Sequence, residues 1–253
     1  MFVTLSVAPP KTRRKRNREP PLLIERIALP GAFSFYRMTV RPRGSVLPWN
    51  AVAAAAGSLR GRFLLPKGVT APEGSGVGVF VPEKLPLFLL LNLAADVLAH
   101  RKVQAADVTV LDPAGVLSGR VERLVPFAGT LRVLTARPER YAEVRRSLLE
   151  EAGLSLCLAP PTAPLPERGV LLSLSAERVP RTFGGLLITG ENRLFLHGET
   201  FAGRDVLLPP ELEALRPPGI DRVQFASALE ECCALPGLRE LKYCTNEAGK
   251  PFV

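Results

Sequence analysis

The chain has little of what most catalytic or metal sites are made from. Its 253 residues include four cysteines and two histidines, and no two cysteines have the C-x-x-C spacing of a zinc or redox motif. A structural zinc site would therefore need widely scattered ligands. No Gly-Lys-Ser/Thr triplet is present, which excludes a P-loop, and neither histidine lies in a nucleophile-elbow motif. The expected state of the cysteines is reduced, mostly buried thiols, at Cys157, Cys232, Cys233 and Cys244.

The sequence also lacks a run long enough to span a bilayer. Its most apolar segment, Leu85 to Ala99, is shorter than the ~20 residues required and contains Asn92 and Asp96. A buried core helix is the better interpretation. A basic run follows a short apolar start at the N-terminus, which is the reverse of the order in a signal peptide. We therefore expect a cytoplasmic protein.

Positive charge is concentrated in one short segment. The net charge is +9, and six positive charges lie within eight residues, which leaves +3 for the rest of the chain. Such a run predicts salt-dependent, sequence-independent binding of nucleic acid or another polyanion. It has no interleaved aromatic residues for stacking on bases, so a solvated loop that improves solubility remains the alternative. The charges belong to Lys11, Arg13, Arg14, Lys15, Arg16 and Arg18.

The segment from Asp107 to Pro160 alternates strands and helices with only short loops between them. Val108–Leu111 and Leu131–Leu134 are short apolar strands, and Ser118 to Phe127 between them has helical spacing. This alternation is typical of a parallel sheet, because parallel neighbours need a long crossover. Further strands are predicted at Leu154–Leu158, Val170–Leu174, Leu186–Ile188 and, as a sixth, Val206–Leu208. The fold class is therefore α/β, with a Rossmann-like parallel sheet.

A smaller α+β domain is predicted ahead of the sheet, with residues 1–105 in the first domain and 106–253 in the second. Its strands are Phe2–Ala8, Leu22–Leu29, Ser34–Val40, Phe63–Leu65 and Val77–Val81, with a helix capped by Ser45 and carrying Pro48 in its first turn. The basic segment 11–18 either joins the first two strands as an exposed loop or belongs to a loose arm that precedes a strand. An apolar helix from about Leu87 to His100 links the two domains. A helix over Asp221–Cys233, with an apolar residue at every third position, closes the second.

The loop after the first strand of the second domain keeps part of a dinucleotide-binding pattern. Gly115, Ser118 and Gly119 lie where glycines would let a backbone approach a pyrophosphate. Asp112 places a negative charge there, however, and Pro113 removes an amide donor. The structural alternative is that Gly115 makes a tight turn and Gly119 allows close packing of a helix on the sheet.

The loop after the second strand favours a phosphorylated ribose. Arg137 and Arg140 lie where arginines would suit the 2′-phosphate of NADP, whereas an acidic residue would hold a ribose hydroxyl. The alternative is a solvated helix start, with Glu139 favouring the helix dipole. This loop resembles the asparagine-arginine-threonine turn of NADP-dependent shikimate dehydrogenases, and the domain order resembles shikimate dehydrogenase and glutamyl-tRNA reductase over about residues 60 to 235. The resemblance implies NADP as the cofactor.

Catalytic residues do not transfer from that resemblance. Lys67 follows Pro66 and Asp96 precedes the parallel domain, as substrate-handling residues do in shikimate dehydrogenases, but neither lies in the family's motif. His197 with Glu199 could transfer a proton, although a turn histidine is the simpler interpretation. The pair Gly184-Gly185 permits close approach of a ligand or makes a bend before Leu186.

Two hypotheses follow from the sequence. In the first, the protein is related to oxidoreductases and binds NADP or a nucleotide-like metabolite against Gly115, Ser118, Gly119, Arg137 and Arg140. In the second, it is a non-catalytic Rossmann-like interaction protein without a cofactor, and its basic segment binds a polyanion such as nucleic acid.

Overall fold

The computed structural model describes residues 1–9, 22–29, 31, 33–42, 46–191 and 198–245. The strands are β1 (Val3–Val7), β2 (Leu22–Ala28), β3 (Ser34–Val40), β4 (Phe63–Leu64), β5 (Ala106–Leu111), β6 (Ala128–Leu134), β7 (Leu156–Ala159), β8 (Val170–Ser173), β9 (Leu186–Thr189), β10 (Glu199–Val206) and β11 (Tyr243–Thr245). The α-helices are α1 (Trp49–Ala56), α2 (Leu85–His100), α3 (Ala142–Ala152), α4 (Pro210–Glu213) and α5 (Arg222–Cys233). Short 3-10 helices lie at Gly57–Leu59, Val121–Phe127, Pro138–Tyr141 and Leu238–Glu240.

The chain divides into two compact units that are not simple halves of the sequence. The first contains Met1–Glu83 and Leu208–Leu238, and the second contains Lys84–Leu207 and Arg239–Val253. This division differs from the domain boundary between residues 105 and 106 that the sequence predicts. Helix α2 belongs to the second unit, and α5, the helix expected to close the second domain, belongs to the first.

The first unit is organised around a small mixed sheet with the strand order β2-β3-β1-β4. Strand β1 pairs in parallel with β3 and β4, and β2 pairs antiparallel with β3 over seven residues. Phe2 and Phe35 stack with centroids 5.0 Å apart, and Phe225 of α5 meets both rings edge-on. All three rings are fully buried. This aromatic contact gives a physical reason for α5 to belong to the first unit.

Two predictions for the first unit fail or lie outside the description. Val77–Val81 is not a buried strand, because only an isolated bridge joins Val79 to Phe63 and Val81 is 71% exposed. Glycines at 74 and 76 take positive φ angles just before it, which interrupts an extended conformation. Ser45 lies outside the described residues, and α1 begins after Pro48 without a side-chain cap.

The second unit contains the predicted parallel sheet. Its order is β11-β10-β9-β8-β5-β6-β7, and every described pair except β10 with β11 is parallel. Counted from β5, the first six strands have the order 3-2-1-4-5-6 of a Rossmann domain. The α/β class and the Rossmann-like sheet are therefore confirmed.

Several elements of this sheet differ from the sequence prediction. The helix expected over Ser118–Phe127 is a 3-10 helix from Val121 that contains Pro126, and turns occupy the residues before it. A proline inside the segment prevents regular α-helical hydrogen bonding. The sixth strand is Glu199–Val206, so Val206–Leu208 was predicted too late in the chain, and β11 was not predicted.

Both helices and loops pack against the parallel sheet. Helix α2, buried on almost all sides as its sequence indicates, and the 3-10 helix Val121–Phe127 pack together, and α2 also contacts β8 and β9. Loop residues Ala176, Val179 and Phe183 pack against Leu111, Leu134, Leu171 and Leu187 in a second apolar cluster. Loops therefore replace the helices that usually cover this part of a doubly wound sheet.

Asn92 is the polar side chain among the buried residues of α2. Its Nδ2 donates to the Arg239 carbonyl at 2.9 Å and to the Leu241 carbonyl at 2.6 Å, and its Oδ1 accepts from Arg123. The amide thereby fixes the segment that leads into β11. Its burial is tolerated because its hydrogen-bonding groups are satisfied.

We expect Asn92→Leu to lower the free energy of unfolding by about 2–4 kcal/mol, because two carbonyls and a guanidinium lose their partner. Asp96→Asn is the matched control on the same helix. It breaks the 2.6 Å ion pair with Lys242, whose side chain is 52% exposed, and should cost at most about 1 kcal/mol. Urea unfolding followed by circular dichroism measures both, and equal losses would contradict the assigned role of Asn92.

Candidate functional site

The strand order defines one crevice at the carboxyl edge of the parallel sheet. From β5 the chain proceeds to β6 and β7 on one side, and β8 and β9 continue on the other. Ligands of doubly wound sheets bind at such a switch point, outside the carboxyl ends of the strands. The segment that follows β5, residues 112–119, is therefore the candidate ligand-binding segment.

Asp112 occupies the backbone donors of this segment. Its side chain is fully buried, with Oδ1 accepting from the Val116 N–H at 2.9 Å and Oδ2 from the Leu117 N–H at 2.7 Å. Tyr141 donates its hydroxyl to Oδ2 at 2.5 Å. In Rossmann domains, amides after the first strand face the pyrophosphate of the cofactor. Here a carboxylate of the chain itself takes two of them.

Tyr141 keeps its proton in this arrangement. The residue is fully buried, and desolvation raises the pKa of its phenol far above the ordinary value. The negative charge of Asp112 and the hydrogen bond to it raise the pKa further. The hydroxyl is consequently a permanent donor to Asp112 at physiological pH.

Gly115, Arg137 and Arg140 lie close together, but they pack on one another. Gly115 has φ +68°, and a β-carbon there would lie 2.9 Å from Arg140 Cδ and 3.1 Å from Arg137 Cβ. Arg140 Nη1 donates to the Ala114 carbonyl at 3.0 Å. The two arginine stems thus pack against the side of Gly115 where a β-carbon would lie. The Arg137 side chain is 62% exposed and lies 3.9 Å from a Glu139 carboxylate oxygen.

Ser118 and Gly119 lie in a different place. With Arg140, they line a groove of about 800 Å³ between the segment 118–126 and helix α3. This groove contains neither Gly115 nor Arg137. The five residues predicted to hold a cofactor therefore do not line one site. Gly115 and Arg137 belong to a packed turn, Ser118 and Gly119 line the groove beside α3, and Arg140 contacts both.

Hydroxyl groups close the turns at the ends of neighbouring strands. After β6, Thr135 Oγ1 accepts from the Arg137 N–H at 3.0 Å, and at the end of β8 Ser173 donates to the Ser175 carbonyl at 2.5 Å. Thr189, at the end of β9, accepts from the Glu191 N–H at 3.2 Å and donates to the Leu174 carbonyl, which follows β8, at 3.3 Å. Sequence reasoning missed these residues. The available signal was a Ser or Thr directly after or ending each apolar strand, which is typical of a side chain that closes a turn.

Most other sequence candidates have structural roles. Asp96 pairs with Lys242, and Glu199 pairs with Arg101. The backbone N–H of Lys67 donates to the Gly219 carbonyl at 2.8 Å. A β-carbon on Gly185 would lie 2.2 Å from the Gly169 carbonyl oxygen, so the glycine permits close backbone packing before β9.

The remaining predictions lie outside the description or involve thiols. His197 and the basic segment fall outside the described residues. The four cysteines are free thiols, of which Cys157 is exposed. Burial raises the pKa values of the Cys232 and Cys233 thiols, which lowers their reactivity at neutral pH.

The shifted pKa values move away from neutral pH. Hydrogen bonds from Arg216 and then Arg222 lower the pKa of Glu213 to about 2, and hydrogen bonds from Arg120 and Arg123 lower that of Glu240. In the described part of the chain, no three His, Cys, Asp or Glu side chains cluster as metal ligands would. The same part holds no helix with the length and apolarity needed to cross a membrane.

Comparisons with known proteins add little to this geometry. No family model matches the chain, and no curated protein does. Among solved structures, the chain is similar to L-tryptophan dehydrogenase from Nostoc punctiforme, with 15% identity and a TM-score of 0.29. The match covers 62% of this chain and half of that one (50%). The assignment of a Rossmann-like fold therefore depends on the strand order, and a shikimate dehydrogenase architecture stays a prediction.

The hydrogen bond between Tyr141 and Asp112 predicts a specific pH dependence. The unfolded chain releases the phenolic proton near the ordinary pKa of 10.0, whereas the folded protein keeps it. Burial first, and then the charge and hydrogen bond of Asp112, keep the folded phenol protonated. The folded state therefore binds more protons above that pH, and stability falls there by up to about 1.4 kcal/mol per pH unit. We expect Tyr141→Phe to cost about 2 kcal/mol at pH 7 and to remove this alkaline component. Urea unfolding at about pH 8 to 11 measures it, and equal alkaline slopes in both proteins would contradict it.

Proposed function

We propose that this protein is a non-catalytic interaction protein built on a Rossmann-like unit, and that it binds nucleic acid through its basic segment, Lys11–Arg18. One observation supports the first part above all others. The buried Asp112 carboxylate accepts hydrogen bonds from the amides and the hydroxyl around the predicted phosphate position.

The described residues do not fit a dinucleotide in the usual way. A pyrophosphate at the end of β5 would face the Asp112 carboxylate, and charge repulsion would add to the loss of the two amide donors. Pro113 supplies no N–H, and the 3-10 helix starts at Val121, beyond the turn. Arg137 and Arg140 alone remain as groups that suit a 2′-phosphate.

We therefore expect no saturable binding of NADPH or NADH in calorimetric or fluorescence titrations up to about millimolar cofactor. A Kd of about 1 mM corresponds to a binding free energy of about −4 kcal/mol, so any binding should be weaker than that. NADP binding at Arg137 and Arg140 stays the competing prediction from the sequence. Micromolar NADPH affinity that falls on Arg137→Ala and Arg140→Ala, but not on Arg145→Ala of α3, would support that prediction and overturn the proposed function.

Strand β1 ends and strand β2 begins at the same edge of the first unit's sheet, on either side of the basic segment in the sequence. Val7, at the end of β1, and Leu22, at the start of β2, are both register partners of Val40 in β3. The six positive charges lie in the sequence between these two strand ends, and their closeness along the chain concentrates positive charge in one short segment.

Substitution of paired arginines tests the nucleic-acid interaction. We expect the wild-type protein to bind single- and double-stranded oligonucleotides of different sequence alike, with an affinity that falls steeply with salt. Arg13→Gln with Arg14→Gln should weaken binding and reduce the logarithmic salt slope by about 2. Arg145→Gln with Arg146→Gln, a matched exposed pair on α3, is the control and should change neither. Equal losses in both variants, or binding to heparin without binding to nucleic acid, would contradict the proposal.

A further inference from the structure

We infer that the groove between residues 118–126 and helix α3 is a docking site for a short, basic, amphipathic helix of a partner protein. The inference is independent of the basic segment and of the proposed nucleic-acid binding. It is based on the shape of the groove, the apolar character of its floor and the charge of its walls.

One continuous face of α3 forms the first wall. The residues of α3 that line the groove are spaced by three or four positions, which places them on one side of the helix. They are Glu143, Val144, Ser147, Leu148, Glu151 and Ala152. Helix α3 has 11 residues, so this wall is about 16 Å long. Such a length matches a few helical turns of a partner better than a compact metabolite.

The opposite wall supplies further apolar and acidic groups. Val125 and Pro126 lie there with Glu122, which is exposed and belongs to the first turn of the 3-10 helix. Together with Val144 and Leu148, they give the groove an apolar floor. Its volume of about 800 Å³ is within the range of binding sites that enclose a ligand on several sides.

The rim of the groove carries negative charge that the described part of the chain does not neutralise. Glu122 and Glu143 form no ion pair within it, and Glu151 accepts a hydrogen bond from Ser147 at 3.0 Å. Arg140, the basic residue of the lining, donates to the neutral Ala114 carbonyl and keeps its positive charge, so the lining holds three carboxylates against one guanidinium. Three carboxylates above an apolar floor complement a helix with apolar residues on one side and lysines or arginines flanking them.

The distribution of charge on α3 supports this assignment. Arg145 and Arg146 are exposed and do not line the groove, so the groove face of α3 presents Glu143 and Glu151 without a basic residue of the same helix. A partner that presented acidic residues would be repelled by the groove. A polycation without apolar residues would leave the floor exposed to water, which removes the hydrophobic contribution to binding.

Fluorescence anisotropy with labelled peptides tests the proposal on the full chain. The probe is a designed helix of about 14 residues, roughly 20 Å long, with leucines at i, i+4 and i+7 and lysines beside them. We expect saturable binding. A peptide with glutamate in place of lysine, one with serine in place of leucine, and one with the sequence of residues 11–18, which carries charge without apolar anchors, should not bind.

Matched variants locate the site. Glu122→Gln with Glu143→Gln should weaken binding of the probe about tenfold, since each change removes one charge contact. Glu150→Gln is the control on the same helix, since Glu150 is exposed and lies outside the groove lining, and it should leave the affinity unchanged. Arg13→Gln with Arg14→Gln should also leave it unchanged, which separates this site from the proposed nucleic-acid interaction.

Several outcomes would overturn the inference. These are equal effects of Glu143→Gln and Glu150→Gln, tight binding of the serine-containing peptide, and binding of spermidine with the same carboxylate dependence while the amphipathic probe does not bind. Circular dichroism and urea midpoints confirm that each variant is folded.

Discussion

A buried carboxylate organises the carboxyl edge of the parallel sheet. Asp112 joins the end of β5, the turn that follows it and the start of the α3 region through three hydrogen bonds, of which the phenol of Tyr141 supplies one. A buried charge is stable only when such donors surround it, because isolated burial carries a large desolvation penalty. The same donors would otherwise be free to bind an external anion. One constraint therefore stabilises the fold and removes the usual ligand position.

The surrounding strand ends follow the same physical rule. Thr135, Ser173 and Thr189 each use a hydroxyl to satisfy backbone groups of the adjoining turn. Glu191 adds its carboxylate to the Ala176 N–H at 2.9 Å. Polar groups at this edge are thus engaged within the chain. The carboxylates of Glu122 and Glu143, by contrast, face water on the outer side of the second unit, and it is there that we infer a partner binds.

The parallel strands could be predicted because buried parallel strands are continuous apolar runs bounded by turn residues, as at Val108–Leu111. Helical spacing between Ser118 and Phe127 could not distinguish a 3-10 helix from an α-helix, since Pro126 alone indicated the difference. The positions of Gly115, Arg137 and Arg140 near one another were predictable from topology. Their mutual packing was not, because it depends on where each side chain turns after the strand ends. The spacing of α5 indicated an apolar face but not which sheet would cover it.

Membership of α5 in the first unit has a consequence for biosynthesis. The ribosome makes β1 through β4 first and α5 only after strands β5 to β10. More than half of the chain is therefore synthesised before the Phe225 ring can cover Phe2 and Phe35. Until then the early sheet exposes an aromatic surface, which favours chaperone binding and aggregation. The parallel sheet, whose strands β5 to β10 are contiguous in the chain, can assemble before the first unit is complete.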